Sequence, residues 1–178
     1  MFEKGKNWPM KWDLPQTAAD LLDLMIKAPL VPAQERGATI LDLASIEAIL
    51  PHRDPFLFVD RVTLLDLERG LIGTRYALSQ SSAVLAGHFL NHPVWPGVLQ
   101  VEAVAQAGGL YHLKQTGAPP APSATLTHIL AARFMQPVLP GPDLEVVARV
   151  LEDGLFVMIV GQCLQNDTVC SVAALRAL

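Results

Sequence analysis

One histidine and one glutamate, His88 and Glu102, have the types and surroundings that acid–base chemistry needs. His88 lies in a proline-punctuated loop, and imidazole is the side chain best matched to accepting a proton near neutral pH. Glu102 lies fourteen residues further on, within an otherwise apolar segment. Because removal from water favours the neutral form of a carboxyl group, a glutamate in such a segment can serve as a general acid. The two residues are therefore the candidate base and acid of one reaction.

The start of the apolar segment offers a third chemical group. Pro96 ends the loop and Gly97 opens a run without helix breakers, which predicts a helix over about 97–115. The first N–H groups of a helix have no partner within it, and they lie at the positive end of the helix dipole. The Gly97 N–H can therefore stabilise a substrate oxygen that gains negative charge.

A metal site is the main competing interpretation of the loop histidines. His88 and His92 have the four-residue spacing of helical ligand pairs. Pro93 disfavours a helix there, and no carboxylate or cysteine completes a recognisable ligand set, so we predict no metal at this site. A further histidine, His52, follows Pro51 in a turn, and we interpret it as structural.

The remaining elements must form a sheet that covers the helix. Two long strands are predicted between Phe58 and Ser79, with a turn at 68–70, and residues 80–96 are predicted to be a loop. The C-terminal third is predicted to be a β-meander, because Asp153-Gly154 and Asn166-Asp167 are two-residue hairpin signals. Its strands are expected near 125–135, 143–152, 155–165 and 168–176.

Residues 1–40 are predicted to form an N-terminal extension with one short helix. Thr17 is a candidate cap for a helix over about 18–28, which Pro29 then stops. A second short helix is expected at 45–50, ending at Pro51.

Several motifs occur together along one stretch of the chain. They are Leu50–Val62 (LPHRDPFLFVDRV), Gly87-His88-Phe89, Pro96–Leu99 (PGVL), Glu102–Gln106 (EAVAQ), Ala132-Arg133-Phe134 and Pro137–Gly141 (PVLPG). In order and spacing, this set resembles the 3-hydroxyacyl-acyl-carrier-protein dehydratases of the FabZ type over roughly residues 45–176. Several linked motifs make the resemblance more specific than any single one.

The resemblance implies an α+β hotdog fold over residues 41–178, in which a curved antiparallel sheet wraps around the long central helix. Such chains normally form homodimers or trimers of dimers, and the histidine and glutamate of one active site come from different subunits. Carried over by motif, the catalytic residues are His88 and Glu102. The backbone N–H that polarises the thioester carbonyl falls on Gly97.

The implied reaction is dehydration of a 3-hydroxyacyl thioester to a trans-2-enoyl thioester in fatty-acid or polyketide-type biosynthesis, without a metal or redox cofactor. The implied partner is an acyl carrier protein, which delivers the acyl chain on phosphopantetheine. The candidate residues of the substrate channel are Phe89, Trp95, Val98 and Gln106. Gln106 lies one helical turn after Glu102 and could form a hydrogen bond within the site.

Two other functions remain open. In a hotdog acyl thioesterase Glu102 would activate water, and a non-catalytic acyl-binding subunit would belong to a heteromeric dehydratase. The Gly-His-Phe and Pro-Gly-Val motifs favour dehydration, and the presence of both His88 and Glu102 argues against a silent subunit. Three features depart from the family pattern. Leu90 replaces a usual proline and Trp95 replaces a smaller apolar residue, which indicates a reshaped channel, and Met135-Gln136 replaces residues that are often basic.

Composition narrows the remaining classes of protein. A chain of 178 residues with 51% hydrophobic and 17% charged residues is typical of one domain with a sizeable core. The net charge of −4 and the absence of a polybasic run argue against nucleic acid and membrane surfaces as partners. No apolar run has the length of a membrane span. The two cysteines, Cys163 and Cys170, form no disulfide framework, so we expect reduced thiols in a cytoplasmic protein.

Overall fold

The computed structural model describes residues 15–79, 83–117 and 125–178. The first fourteen residues of the predicted extension and the start of the predicted loop at 80–96 lie outside the described residues. The helices are α1 (Gln16–Met25), α2 (Leu43–Glu47), α3 (Ala83–Gly87) and α4 (Gly97–Thr116). The strands are β1 (Arg61–Asp66), β2 (Leu71–Tyr76), β3 (Leu126–Phe134), β4 (Leu144–Asp153), β5 (Phe156–Gln165) and β6 (Thr168–Ala177).

The six strands form one antiparallel sheet in the order β1-β2-β4-β5-β6-β3. Both predicted hairpins of the C-terminal third are confirmed. Asn166 and Asp167 have φ angles of 49° and 62°, and Gly154 has one of 67°. These are the positive values that tight hairpin turns require and that Asn, Asp and Gly tolerate.

The predicted meander is wrong at its first strand, because β3 pairs with β6 and not with β4. The segment between β3 and β4 contains three prolines, which cannot donate to a hairpin ladder. It passes over the start of α4 instead, where the Val138 carbonyl accepts a hydrogen bond from the Trp95 N–H at 2.8 Å. The Gln165 side chain holds the same segment through the Leu139 N–H and carbonyl, at 2.8 and 2.7 Å. This connection therefore brings the end of β3 beside the first turn of α4.

Helix α4 is the central helix that the sequence predicts, and its observed end lies one residue beyond the predicted one. Pro96 precedes it, and Gly117 ends it in the left-handed conformation with φ 63°. Two glycines permit its close packing on β5. A Cβ atom on Gly108 would lie 2.4 Å from Ile159 Cδ1, and one on Gly161 would lie 2.5 Å from Val104 Cγ1. The small residues at these positions allow the helix backbone to approach the sheet.

The opposite face of the sheet is covered by α1. Side chains alternate along a strand, so Ile159 of β5 packs in the cluster that contains α4, whereas Met158 and Val160 pack against Leu22 and Met25 of α1. The predicted N-terminal helix is present, but it starts at Gln16, and the predicted cap by Thr17 is wrong. Pro15 precedes the helix, and no side chain caps it.

The two shorter helices also correct the sequence-based boundaries. Helix α2 begins at Leu43 because Asp42 caps it, accepting a hydrogen bond from the Ser45 N–H at 3.0 Å. Helix α3 lies within the segment predicted to be a loop. Within the described residues, no helix is long and apolar enough to cross a lipid bilayer.

Candidate active site

Glu102 lies in the second turn of α4, and a fixed amide orients its carboxylate. Gln106, one turn later and buried, donates from Nε2 to Glu102 Oε1 at 2.9 Å. The same amide is held at both ends, because its Oε1 accepts from the Phe58 N–H at 2.8 Å and its Nε2 also donates to the Phe56 carbonyl at 2.9 Å. The loop before β1 therefore fixes Gln106, and Gln106 in turn fixes one oxygen of Glu102.

His52 lies beside the same carboxylate, a placement that the sequence analysis missed. Its Nε2 is 3.6 Å from Glu102 Oε1, and its Nδ1 is buried without a hydrogen-bond partner among the described residues. The following residue holds the turn, since the Arg53 guanidinium donates to the carbonyls of Leu50, His52 and Glu47. An imidazole and a carboxylate of one chain thus face the same space.

A cavity of about 340 Å³ opens beside Glu102. Its lining follows one face of α4 at helical spacing and continues onto the sheet. The lining residues are Leu50, Pro51, His52, Glu102, Ala105, Gln106, Gly109, Leu113, Thr125, Leu126, Ile159 and Ala177. The polar side chains of His52, Glu102 and Gln106 lie together, and the walls beyond them are predominantly apolar. A cavity with this lining can hold a polar head group followed by an apolar chain.

His88 directly follows α3 and is held by two hydrogen bonds of its own backbone. Its N–H donates to the Val84 carbonyl at 3.1 Å, and its carbonyl accepts from the Val94 N–H at 2.8 Å. Its ring Nδ1 lies 2.8 Å from the Val94 carbonyl oxygen. Because a carbonyl oxygen can only accept, the proton of the neutral ring lies on Nδ1, which leaves Nε2 free to take a proton.

A second cavity, of about 490 Å³, contains His88 and the start of α4. Gly97 lines this cavity beside the Phe134 ring, and a Cβ atom on Gly97 would lie 2.8 Å from that ring. The first N–H groups of α4 lie ahead of its own hydrogen-bond ladder, so they remain available to an acceptor. The candidate general base and the candidate oxyanion donor therefore share one cavity.

The four candidate channel residues lie in different parts of the structure. Trp95 is buried, its ring packed edge-on to Phe58 at 5.6 Å between centroids, so its bulk fills the core between the loop and the sheet. Val98 lines the His88 cavity but is largely exposed, and Phe89 is exposed with its ring stacked on that of His88. Gln106 lines the Glu102 cavity.

One chain does not bring His88 and Glu102 together. The two residues line different cavities, and among the described residues no hydrogen bond or ion pair joins them. Each cavity therefore contains one of the two candidate acid–base residues.

Neither cysteine is poised to act as a nucleophile. Cys163 and Cys170 are both free and buried. Burial raises the pKa of the Cys163 thiol to about 12, and burial also raises the pKa of Cys170. Since the thiolate is the nucleophilic form, both thiols are inert at neutral pH.

Solved structures of low sequence identity share this architecture. The dehydratase heterocomplex ApeI:P from Xenorhabdus doucetiae aligns with a TM-score of 0.60 and 21% identity, over 74% of this chain and 88% of that one. Cj0977, a sigma28-regulated virulence protein from Campylobacter jejuni, aligns with a TM-score of 0.58 and 13% identity, over 81% and 94%. A hypothetical thioesterase with coenzyme A from Streptococcus pneumoniae TIGR4 aligns with a TM-score of 0.51 and 9% identity, over 65% and 81%. These likenesses establish the fold, and the expected hotdog fold is confirmed.

A family model identifies the chain more closely. The model of the FabA-like domain matches residues 50–173, which is more than half of the sequence. The match begins at Leu50, beside His52, and it contains His88, Gly97 and Glu102. The chain therefore belongs to the family of FabA-like domains.

Proposed function

We propose that this chain dehydrates 3-hydroxyacyl thioesters, delivered by an acyl carrier protein, to trans-2-enoyl thioesters. The observation that supports the proposal is the division of the chemistry between two cavities of one chain. One cavity holds a base with a free Nε2 and a helix N-terminus, and the other holds an oriented carboxylate with an apolar extension. A second copy of the chain would supply what each cavity lacks.

Each group has a defined task in this reaction. His88 Nε2 removes a proton from C2 of the acyl chain, which the adjacent thioester carbonyl acidifies. The Gly97 N–H stabilises the negative charge that develops on the carbonyl oxygen. Glu102 protonates the C3 hydroxyl, the C3–O bond breaks, and water leaves as the C2–C3 double bond forms. His88 then loses its proton and Glu102 regains one, through solvent or by proton transfer.

The sheet offers an edge at which two copies can join. β3 is an outer strand, so one row of its backbone groups has no neighbouring strand among the described residues. Ile129 on this strand is 59% exposed, and the exposed ring of Phe134 lies at its end beside Gly97. Pairing of β3 with its copy would bury these side chains and place the His88 cavity of each chain at the dimer interface. The proposed assembly is therefore a homodimer with two composite sites.

Mixing two inactive variants tests this proposal directly. Purified His88→Ala and Glu102→Ala proteins should each lose dehydration of 3-hydroxyacyl pantetheine thioesters by about a hundredfold or more, measured by mass spectrometry. When the two variants are unfolded together and refolded at equal amounts, half of the dimers should pair different variants. In each mixed dimer one site combines an intact His88 with an intact Glu102, so about one quarter of the wild-type rate should return.

The controls are each variant refolded alone, which should stay inactive. A mixture that stays inactive while mixed dimers are present would show that the two residues do not act in one shared site. No turnover by the wild-type chain alone would instead favour an acyl-binding subunit that needs a different hotdog chain.

Thioester hydrolysis is the second candidate function, and one contact favours it. His52 Nε2 and Glu102 Oε1 of the same chain lie 3.6 Å apart, so a water that contacts both from the cavity could be activated without a second subunit. In that reaction free pantetheine thiol would appear without an enoyl product, and His52→Ala would abolish it. Enoyl product without free thiol would exclude this alternative.

A further inference from the structure

The cavity beside Glu102 continues well past the reacting groups. Its lining on α4 follows one face, from Glu102 through Ala105 and Gly109 to Leu113. At 1.5 Å per residue, Gly109 lies roughly 10 Å and Leu113 roughly 16 Å beyond Glu102 along the helix axis. Leu126, Ile159 and other apolar side chains of the sheet form the facing wall. A cavity of this depth and lining fits a substrate with a long apolar tail.

Two adjacent glycines in α4 have different surroundings. The space where a Cβ atom on Gly108 would lie is filled by Ile159, so Gly108 is needed for packing on the sheet. A Cβ atom on Gly109 would meet no atom within 4 Å, although Gly109 is half-buried and lines the cavity. Glycine weakens a helix interior, and packing does not explain its presence at this position. What Gly109 provides is open space at the middle of the cavity.

The volume of the cavity indicates the size of tail that it accommodates. A methylene group is similar in size to a water molecule, which occupies about 30 Å³, so a cavity of about 340 Å³ accommodates roughly eleven such groups. The depth of roughly 16 Å to Leu113 agrees with an extended chain of similar length. With its first carbons at Glu102, the acyl group that fills this cavity has roughly ten to fourteen carbons.

We propose that Gly109 determines how long an acyl chain this cavity accepts, and that its ligand is a medium-chain acyl group of this length. The inference rests on the proposed function, since it assumes that the acyl head group lies at Glu102. It adds the class of substrate and the residue that selects it. A larger side chain at position 109 would close the cavity midway, leaving room for short chains only.

Binding tests the inference without requiring turnover. The probes are butyryl- and dodecanoyl-pantetheine amides, which lack a 3-hydroxyl group and a thioester and so can be neither dehydrated nor hydrolysed. By isothermal titration calorimetry, the full-length wild-type chain should bind the dodecanoyl probe at least about tenfold more tightly than the butyryl probe, because additional methylenes are buried. Gly109→Leu should lose this preference and still bind the butyryl probe with wild-type affinity.

Gln115→Leu is the matched control, because it introduces the same side chain at an exposed position of the same helix that does not line this cavity. It should behave as the wild type does. Should Gly109→Leu fail to fold, as judged by circular dichroism, Gly109→Met offers a flexible side chain with the same expected effect. A folded variant at position 109 that keeps the dodecanoyl preference would overturn the inference, and so would a wild-type chain without any preference.

The two proposals fail separately. Loss of the dodecanoyl preference at Gly109, combined with no dehydration of any 3-hydroxyacyl thioester, would keep the acyl-binding inference and reject the dehydratase. Dehydration with equal affinity for both probes would do the reverse.

Discussion

The side-chain amide of Gln106 connects the candidate acid to the rest of the fold. It contacts the backbone on both sides of Leu57 and the carboxylate of Glu102 at the same time. All of its contacts are at normal hydrogen-bond distances, and the residue is buried. A side chain with this many partners is suited to positioning the candidate acid.

Replacement of Gln106 by Leu should affect both stability and turnover. The buried Phe58 N–H would lose its partner, which should lower the free energy of unfolding by about 1–3 kcal/mol in urea denaturation. The Glu102 carboxylate would become free to rotate, so kcat should fall more than KM rises.

Gln106→Glu serves as the comparison, since it retains the shape and an acceptor for Phe58 but places a second carboxylate beside Glu102. Equal kcat values for the wild type and the Leu variant would show that Gln106 has no part in positioning the acid.

At this scale the sequence predicts contacts within one helix and misses those between distant segments. Glu102 and Gln106 are one turn apart, so helical periodicity was enough to place them together. His52 lies fifty residues before Glu102 in an irregular turn, where no periodicity relates the two positions. Its closeness to the carboxylate depends on how the loop before β1 crosses α4, and only the folded chain shows that crossing.

At the scale of the elements, α4 both packs on the sheet and lines the cavity, and its two adjacent glycines separate these tasks. Substitution by Ala should therefore have opposite effects at the two positions. Gly108→Ala should destabilise the fold, because a buried methyl group would overlap Ile159, and overpacking of this kind typically costs about 1–3 kcal/mol. Gly109→Ala should stabilise it by up to about 1 kcal/mol, because Ala is the better helix former and its methyl group meets open space.

Thermal unfolding of the two variants beside the wild type measures both effects. If both substitutions shifted the midpoint in the same direction, the assignment of Gly108 to packing and of Gly109 to open space would be wrong.

Local chemistry explains which elements the sequence predicts well. Pro96 and Gly117 delimit α4, and Asn166-Asp167 defines the β5–β6 hairpin, because these residues restrict or permit particular backbone angles. The pairing of β3 with β6 could not be read in this way. The two strands are separated in sequence by β4 and β5, and their pairing is decided by which edge remains free once those strands have formed their hairpins.

At the scale of the whole molecule, the proposed composite sites make activity depend on assembly. Ile129→Lys would place a charge on the exposed face of β3, and a charge at a strand edge opposes pairing with another strand. The variant should therefore elute as a monomer in size-exclusion chromatography with light scattering, and it should lose dehydratase activity with its fold intact.

Leu155→Lys is the matched control, since Leu155 is 89% exposed at the tip of the β4–β5 hairpin, away from the β3 edge. It should remain dimeric and active. A monomeric Ile129→Lys protein with full activity would mean that one chain contains a complete site.

The side of the sheet remote from α4 determines where this chain can be shortened. The Gln162 side chain donates to the Met25 and Ala28 carbonyls and accepts from the Leu30 N–H. These hydrogen bonds hold the segment that follows α1 against β5. Removal of all residues before Leu50, where the family match begins, would leave the buried Gln162 amide without these hydrogen-bond partners. It would also expose an apolar surface that includes Met158 and Val160. Such a fragment would be expected to aggregate in solution, although it retains His52, His88 and Glu102.

 The segment needed for a stable fold is therefore longer than the segment that matches the family model. For expression or crystallisation, we expect the useful boundary to lie ahead of Gln16, so that α1 and the segment after it remain in place to cover this face of the sheet.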